Sequence, residues 1–238
     1  SVGPKAAAFA VLLRVFLTAF GNVSQVWMPF VWGCALATMI VGNFAAILQS
    51  NIKRMLAYSS IAHAGYVLVA LTAHSDTGAA AAMFYLAAYA FTNVGAFAVV
   101  TYFARKGEEY VKIDDFAGLS QRKPAMAAML TIFLLSLIGV PLTGGFFGKF
   151  YIFRAALESN LVWLAVLGLL NSAVAAYYYL RLLVVMYMHE PGEATEGLEP
   201  LPAGLRVALV LPAVGTFILG ILPDFVLSFA RNAAAIGK

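Results

Sequence analysis

Lys149 is the residue whose type and surroundings point most directly to chemistry. Residues 135–151 read LSLIGVPLTGGFFGKFY, an apolar membrane-type helix with breakers in its middle. The expected breakers are one proline and three glycines: Pro141, Gly144, Gly145 and Gly148. Proline lacks an amide proton and clashes with the preceding turn, so the pattern predicts a discontinuous helix. In hydrocarbon, the freed backbone groups are tolerated only against protein or a water-filled cavity, so a lysine beside them indicates an ion pathway.

Three titratable side chains are candidate proton carriers. Burial disfavours the ammonium form, so a lysine such as Lys149 can bind and release a proton near neutral pH. Lys5 stands in an otherwise apolar helix in the same way. His63 titrates in the physiological range and lies in the polar run 59–66, SSIAHAGY, which could order a chain of water molecules.

Each candidate also has a purely structural explanation. Lys149 could snorkel from the last turns of its helix to the outer interface. Lys5 could be an interfacial lysine, and His63 could be a hydrogen-bonded packing residue.

The remaining polar positions of the helices favour structural roles. Arg14 and Arg154 are interpreted as anchors near outer helix ends, and Arg181 as a side chain that snorkels to the cytoplasmic surface. The run YYYLR at 177–181 covers most directions around one helix, so at least one tyrosine ring is expected to face lipid or headgroups. Cys34, the only cysteine, is interpreted as a packing residue.

No cofactor or metal site is expected in this chain. The sequence has no cysteine pair or histidine cluster for a metal, no glycine-rich phosphate loop and no nucleophile elbow. Acidic residues are absent from the predicted helix interiors, so an acidic partner for the lysines would have to come from outside this stretch. The basic residues sit at helix ends or singly inside helices, which membrane topology explains better than a nucleic-acid partner.

Composition sets the class of protein that must position these side chains. Of 238 residues, 63% are hydrophobic and 11% are charged, with a formal charge of +4 and a mean hydropathy of +0.88. Such values are typical of an integral membrane protein. Apolar stretches long enough for a core of roughly 30 Å recur along the chain and predict about seven helices. They run over 1–20, 27–50, 54–73, 80–104, 124–157, 160–188 and 204–230, and the fifth is the interrupted one.

The fold class expected from this pattern is an all-α, polytopic transmembrane bundle in a single domain over residues 1–238. Alternating the helices places nine basic residues near one side: Lys53, Arg54, Lys112, Arg122, Lys123, Arg181 and Arg206, with Arg105 and Lys106 in the polar linker. By the positive-inside rule this side is cytoplasmic, and the C-terminus faces outward. A short amphipathic helix is expected around 113–119. The opening SVGP does not look like a signal peptide and reads as the inside of a longer chain.

Three segments together resemble a known family. Residues 51–66, NIKRMLAYSSIAHAGY, the interrupted stretch 135–151 and the YYYLR run are similar to the antiporter-like membrane subunits of respiratory complex I, the proton-pumping NADH:quinone oxidoreductase. The resemblance is nearest to the subunit N type, the counterpart of mitochondrial subunit 2. It covers essentially the whole chain as the C-terminal half of a subunit with about fourteen helices, built from inverted repeats.

The resemblance implies a role for each candidate. Lys149 matches the lysine of the second broken helix, which in the family connects to the outward half-channel. Lys5 matches the central connecting lysine, and His63 lies on a helix that lines the polar axis. A lysine at 149, where the sister subunit M usually carries glutamate, favours subunit N and leaves L-type and cation/proton-antiporter relatives open.

The implied function is proton translocation coupled to quinone reduction elsewhere in a complex, with no bond chemistry in this chain. FMN, iron–sulfur clusters and quinone are then expected in partner subunits. The expected partners are a neighbouring antiporter-like subunit, small membrane subunits and lipids, in a bacterial inner membrane or an equivalent energy-transducing membrane. The alternatives are a subunit of a sodium/proton antiporter or membrane-bound hydrogenase with the same fold, and a structural membrane spacer.

Overall fold

The computed structural model describes residues 2–103, 110–196 and 201–236. Helices dominate this part, and no β-strand occurs in it beyond one isolated bridge between Asn51 and Lys112. Its α-helices are α1 Gly3–Arg14, α2 Ser24–Ile47, α3 Ile52–Thr72, α4 Asp76–Phe103, α5 Leu119–Arg122, α6 Pro124–Ile138, α7 Gly144–Glu158, α8 Val162–Met188, α9 Ala203–Ile221 and α10 Pro223–Ile236. Within these described ranges, five helices are long and apolar enough to cross a membrane, which confirms the all-α polytopic bundle: Gly21–Ile47, Ile52–Thr72, Asp76–Phe103, Val162–Met188 and Ala203–Ile221.

The connections between helices collect at two ends of the bundle. At one end, the amide of Ile52 donates to the carbonyl of Val111 over 2.9 Å, so the α2–α3 turn pairs with the segment after α4. This end carries Lys53 and Lys112 and is called the basic end below. At the opposite end, the hydroxyl of Ser159 after α7 donates to the carbonyl of Ala73 after α3 over 2.7 Å.

The α3 helix lies at the centre and α2 lies at the periphery. In the most apolar window of each span, 72% of α3 residues are buried, compared with 28% for the span that contains α2. Asn51 starts α3 by accepting a hydrogen bond from the amide of Arg54, as an N-cap residue should. The central helix therefore carries His63 into the interior of the bundle.

The expected interruption of the helix over 124–157 is present between α6 and α7. The α6 helix ends at Ile138, and Gly139 takes the left-handed conformation with φ of 93° that glycine adopts without a Cβ clash. Pro141 lies in the break. Gly144, Gly145 and Gly148 differ from the expectation, because they lie in the first two turns of α7.

The glycines at the start of α7 serve close approach of helices instead of the break itself. A Cβ on Gly145 would lie 1.8 Å from the carbonyl oxygen of Ser136 in α6. A Cβ on Gly148 would lie 2.7 Å from the ring of Tyr85 in α4. Both contacts are too short for any side chain, so these positions let α7 pack directly on its neighbours.

The single helix expected over 204–230 is wrong, because the structure has a second interruption there. The α9 helix ends at Ile221 and α10 begins at Pro223, whose ring favours the first turn of a helix. A Cβ on Gly220 would lie 2.1 Å from the carbonyl oxygen of Leu142, so the second interruption lies against the first. Beyond it, Leu227 and other residues of α10 pack against the first half of α4.

Smaller differences concern helix ends and the only cysteine. The first helix continues beyond Arg14 as a single π turn over Val15–Ala19, and α4 starts earlier than expected, at Asp76. The amphipathic segment around 113–119 forms a 3₁₀ turn, Ile113–Phe116, followed by α5. Cys34 is exposed on α2, so it does not pack in the core of this chain. Arg105, Lys106 and position 104 lie outside the described residues.

Candidate functional site

Lys149 is buried in the interior, with 6% of its surface exposed. Its Nζ donates hydrogen bonds to the carbonyl oxygens of Leu137 and Ile138 and to the hydroxyl of Ser172, each over 2.8 Å. The Tyr66 ring centroid lies 5.2 Å from Nζ. This geometry contradicts the snorkelling alternative, because the side chain is directed at the break and away from the outer end of α7.

The end of α6 supplies the negative partial charge that Lys149 needs. The last carbonyls of a helix lack intrahelical partners and carry the negative end of its dipole. Leu137 and Ile138 are the final residues of α6, so the break exposes these carbonyls to the ammonium group. A cation over the face of Tyr66 gains further electrostatic stabilisation. Among the described residues, Lys149 is thus held by main-chain carbonyls and a hydroxyl, and no carboxylate contacts it.

Lys5 contacts the central helix one turn before His63. Its Nζ donates to the carbonyl oxygen of Ser60 over 2.7 Å and forms a short contact with the Ser60 hydroxyl. The side chain is only partly buried within this chain.

His63 is buried between two tyrosine hydroxyls. Nδ1 forms a short hydrogen bond with the hydroxyl of Tyr85, and Nε2 lies 3.2 Å from the hydroxyl of Tyr179. The Tyr179 hydroxyl also forms a short hydrogen bond with Ser59. A neutral imidazole has one donor and one acceptor nitrogen, and a hydroxyl can act as either. The hydrogen bonds from Tyr85 through His63 to Tyr179 can therefore all run in one direction or all in the other.

Two small cavities adjoin His63, and each has a volume of about 10 Å³. That is close to the space one water molecule needs. Both cavities are lined by His63, Tyr85 and Tyr89; Lys5 lines one and Lys149 lines the other. The Tyr89 hydroxyl has no hydrogen-bond partner among the described residues, so it is free to bind water there. The structure therefore brings the three predicted residues together along one polar line.

Sequence reasoning missed several residues of this polar interior. Asn43 in α2 is fully buried and contacts α8. Tyr179 was grouped with its neighbours as structural, although Ser172 and Tyr179 share one face of α8 at a spacing of seven. That spacing, and the lone asparagine in an apolar helix, are signals that could have identified them.

Tyr177, Arg154 and Arg14 lie where a structural role requires. Tyr177 is 61% exposed on α8, whereas Tyr178 and Tyr179 are buried. Arg154 pairs with Glu158 over 2.8 Å at the exposed end of α7. Arg14 is exposed in the last turn of α1. None of the contacts described for these arginines reaches Lys149 or His63.

No group of three or more metal-ligating side chains of the His, Cys, Asp or Glu type occurs among the residues that the structure describes. The polar interior is instead built from hydroxyls, amides and amines. Thr92 in α4 extends it, with its hydroxyl 3.0 Å from that of Ser136, and Ser136 in turn accepts from the amide of Gly145 over 3.2 Å. Such groups suit proton transfer and water binding.

Comparisons with known proteins agree with this architecture. The family described as NADH:quinone oxidoreductase/Mrp antiporter, TM, matches residues 1–175. NADH-quinone oxidoreductase subunit N 1 of Solibacter usitatus is 71% identical over 235 residues, which are 99% of this chain and 48% of that protein. The chain thus spans about half the length of the curated relatives it matches.

Solved structures show the same fold. A chain of respiratory complex I from Thermus thermophilus with bound aureothin has a TM-score of 0.72 at 36% identity, over 84% of this chain and 45% of that one. A chain of the Mrp complex from Dietzia sp. has a TM-score of 0.84 over 97% of this chain and 51% of that one. Its identity of 22% shows the fold alone. Since the family match covers most of its length, the chain belongs to the antiporter-like membrane subunits of NADH:quinone oxidoreductases and Mrp antiporters.

Proposed function

We propose that the chain is the C-terminal portion of a proton-translocating membrane subunit of NADH:quinone oxidoreductase. The observation that carries the proposal is the buried Lys149 ammonium, held by the free carbonyls of Leu137 and Ile138. Broken membrane helices bind cations and protons in this way in transporters. Two relatives that are 71% and 47% identical to this chain are named as subunit N of this oxidoreductase, which supports the same assignment.

The polar line supplies a route for the proton. A proton on Lys5 can pass through the Ser60 hydroxyl and a water molecule in the cavity that Lys5 lines to reach His63. His63 takes it on one ring nitrogen and releases it from the other, assisted by Tyr85. Water in the cavity that Lys149 lines then carries the proton to Lys149. Each step moves one proton and forms no other bond.

The driving force comes from outside this chain. Quinone reduction in other subunits changes the charge of a neighbouring site, and Lys5 and Lys149 exchange protons in response. FMN, iron–sulfur clusters and quinone belong to partner subunits in this scheme. The partners are the adjacent antiporter-like subunit and small membrane subunits, in a bacterial inner membrane or its equivalent with the C-terminus on the outer side.

Substitution of Lys149 by alanine tests the proposal. In the complete oxidoreductase in inverted membrane vesicles, Lys149→Ala should lower the number of protons moved per electron, because the terminal carrier is lost. The amount of assembled complex should remain largely unchanged. Arg154→Ala on the exposed end of the same helix is the matched control and should pump normally. An unchanged proton-to-electron ratio in Lys149→Ala would instead support the structural-spacer alternative.

The matching family is described by both NADH:quinone oxidoreductase and Mrp antiporter, so one second candidate is a subunit that exchanges sodium for protons. This candidate predicts sodium-dependent pH changes in vesicles without NADH oxidation. Proton movement that needs NADH and is indifferent to sodium would decide for the oxidoreductase.

A further inference from the structure

Asn43 joins α2 to α8 through every polar atom of its side chain. Nδ2 donates to the main-chain oxygen of Asn171 over 2.9 Å and lies 3.2 Å from its side-chain oxygen. Oδ1 accepts from the hydroxyl of Tyr178 over 3.1 Å. Asn43 has no exposed surface. Its two partners stand one residue before two residues of the polar line, Ser172 and Tyr179.

The contacts of Asn43 form two arms, one through Asn171 and one through Tyr178. The first arm, through Asn171, ends at Lys149. Asn171 is fixed at both its main-chain and side-chain oxygens by Asn43, and its own Nδ2 donates to the carbonyl of Leu167 over 2.9 Å. The next residue, Ser172, is the one side chain that accepts a hydrogen bond from Lys149 within the described part of the chain. A rotation of α8 at this level would move the Ser172 hydroxyl away from Nζ.

The second arm ends at His63. Tyr178 is buried and donates to Asn43, while its neighbour Tyr179 contacts the imidazole and Ser59. The two rings lie with centroids 4.5 Å apart. Fixing the Tyr178 ring therefore restricts the neighbouring ring that contacts Nε2.

Simple adhesion between helices would not need this arrangement. Interhelical polar contacts in membranes are worth little on average, whereas small residues allow close packing of backbones. Gly42, next to Asn43, gives such packing between α2 and α3, since a Cβ at Gly42 would lie 2.5 Å from the amide nitrogen of Ala62 in α3. Asn43 contacts a different helix, α8. The asparagine adds defined hydrogen bonds at two levels of α8.

We infer that Asn43 is a positioning residue for proton transfer, which holds Ser172 against Lys149 through Asn171 and holds Tyr179 against His63 through Tyr178. The inference rests on the proposed function, because it assigns Asn43 to the same pathway. It extends the pathway's supporting structure to α2, a helix that contains none of the three proposed proton carriers.

The test compares Asn43→Leu with Asn43→Asp in the complete oxidoreductase in inverted membrane vesicles. Asn43→Leu keeps the volume and removes all three contacts, so NADH-driven proton uptake per assembled complex should fall at least about fivefold, the shift in population that loss of a single buried hydrogen bond gives. The proton-to-electron ratio should fall as well, which a loss of stability alone would not cause. Asn43→Asp retains the acceptor for Tyr178 and, as the protonated carboxyl that its buried position favours, a donor toward Asn171, so it should keep more of the ratio.

Two further variants complete the experiment, one in the arm through Tyr178 and one as a control. Tyr178→Phe removes one hydroxyl and should lower the ratio less than Asn43→Leu does. Thr38→Val on the same helix removes a hydroxyl whose hydrogen bond within the described residues goes to the Cys34 carbonyl, and it should leave the ratio unchanged. An unchanged ratio in Asn43→Leu overturns the inference, even when Lys149→Ala is impaired. If Asn43→Leu lowers the ratio while Lys149→Ala pumps normally, the inference is also overturned, and in that case it is the proposed function that has failed.

Discussion

At Lys149, the three N–H donors of an ammonium group meet three oxygen acceptors, from Leu137, Ile138 and Ser172. A neutral amine has two N–H donors and a lone pair, so it can donate to the Leu137 and Ile138 carbonyls while it accepts from the Ser172 hydroxyl. The site can therefore hold either form: a third donated hydrogen bond favours the charged form, and the surrounding apolar side chains oppose it. A side chain balanced between these two effects can change its protonation when a neighbouring charge changes.

Tyr179 and Tyr177 provide a matched pair for testing the polar line at single residues. Tyr179→Phe removes the hydroxyl that contacts His63 and Ser59, so the number of protons taken up per electron should fall toward the value of Lys149→Ala. Tyr177→Phe makes the same chemical change at a ring that is 61% exposed and should have no effect. Both variants are measured in inverted vesicles with matched amounts of complex. Equal ratios in the two variants would remove Tyr179 from the pathway.

The α6–α7 pair works as a unit, because the break is useful only if both halves stay close. Ser136 near the end of α6 accepts a hydrogen bond from the amide of Gly145, so the last turn of one half helix is tied to the first turn of the other. Lys149 is one turn further along α7 and reaches back to the end of α6. The half helices thus form a clamp around the cation.

Gly145→Ala tests this unit directly. The added Cβ would lie 1.8 Å from the Ser136 carbonyl, so α6 and α7 must separate. Overpacking of this kind costs about 1–3 kcal/mol. We expect a lower yield of assembled complex and a lower thermal midpoint, together with reduced pumping in the complex that does assemble. Gly33→Ala on α2 is the control, because no atom lies within 4 Å of the added group. Normal stability of Gly145→Ala would contradict the close contact.

The sequence predicted the first interruption but missed the second, for a reason visible in the two prolines of the last span. Pro212 lies inside α9 without ending it, whereas Pro223 starts a new helix. Proline alone does not separate these outcomes, since the freed backbone groups can be satisfied by neighbouring helices in either case. Lys5, His63 and Lys149 were identifiable from the sequence because each is a titratable side chain within a predicted membrane helix. The contacts of Asn43 and Tyr179 depend on residues more than a hundred positions away and on how α2, α3 and α8 pack.

The whole molecule separates a polar interior from an apolar exterior. Large side chains such as Phe30 and Phe44 of α2 are exposed and can face lipid or a neighbouring subunit. Charged side chains gather at the ends, with Lys112 at the basic end and Glu158 at the opposite end. The placement of both ends follows from the antiparallel order of the helices, so one measurement of sidedness fixes the orientation of every element.

Cysteine labelling tests that orientation. In a chain whose exposed Cys34 is replaced by alanine, Lys112→Cys and Glu158→Cys place single thiols at opposite ends of the bundle. Because basic residues favour the cytoplasmic side, a membrane-impermeant maleimide should label Lys112→Cys in inverted vesicles and Glu158→Cys in right-side-out vesicles. The reverse pattern would invert the predicted topology and place the C-terminus in the cytoplasm. Labelling of both positions from one side would contradict the alternation of the helices, because the two thiols would then share a membrane surface.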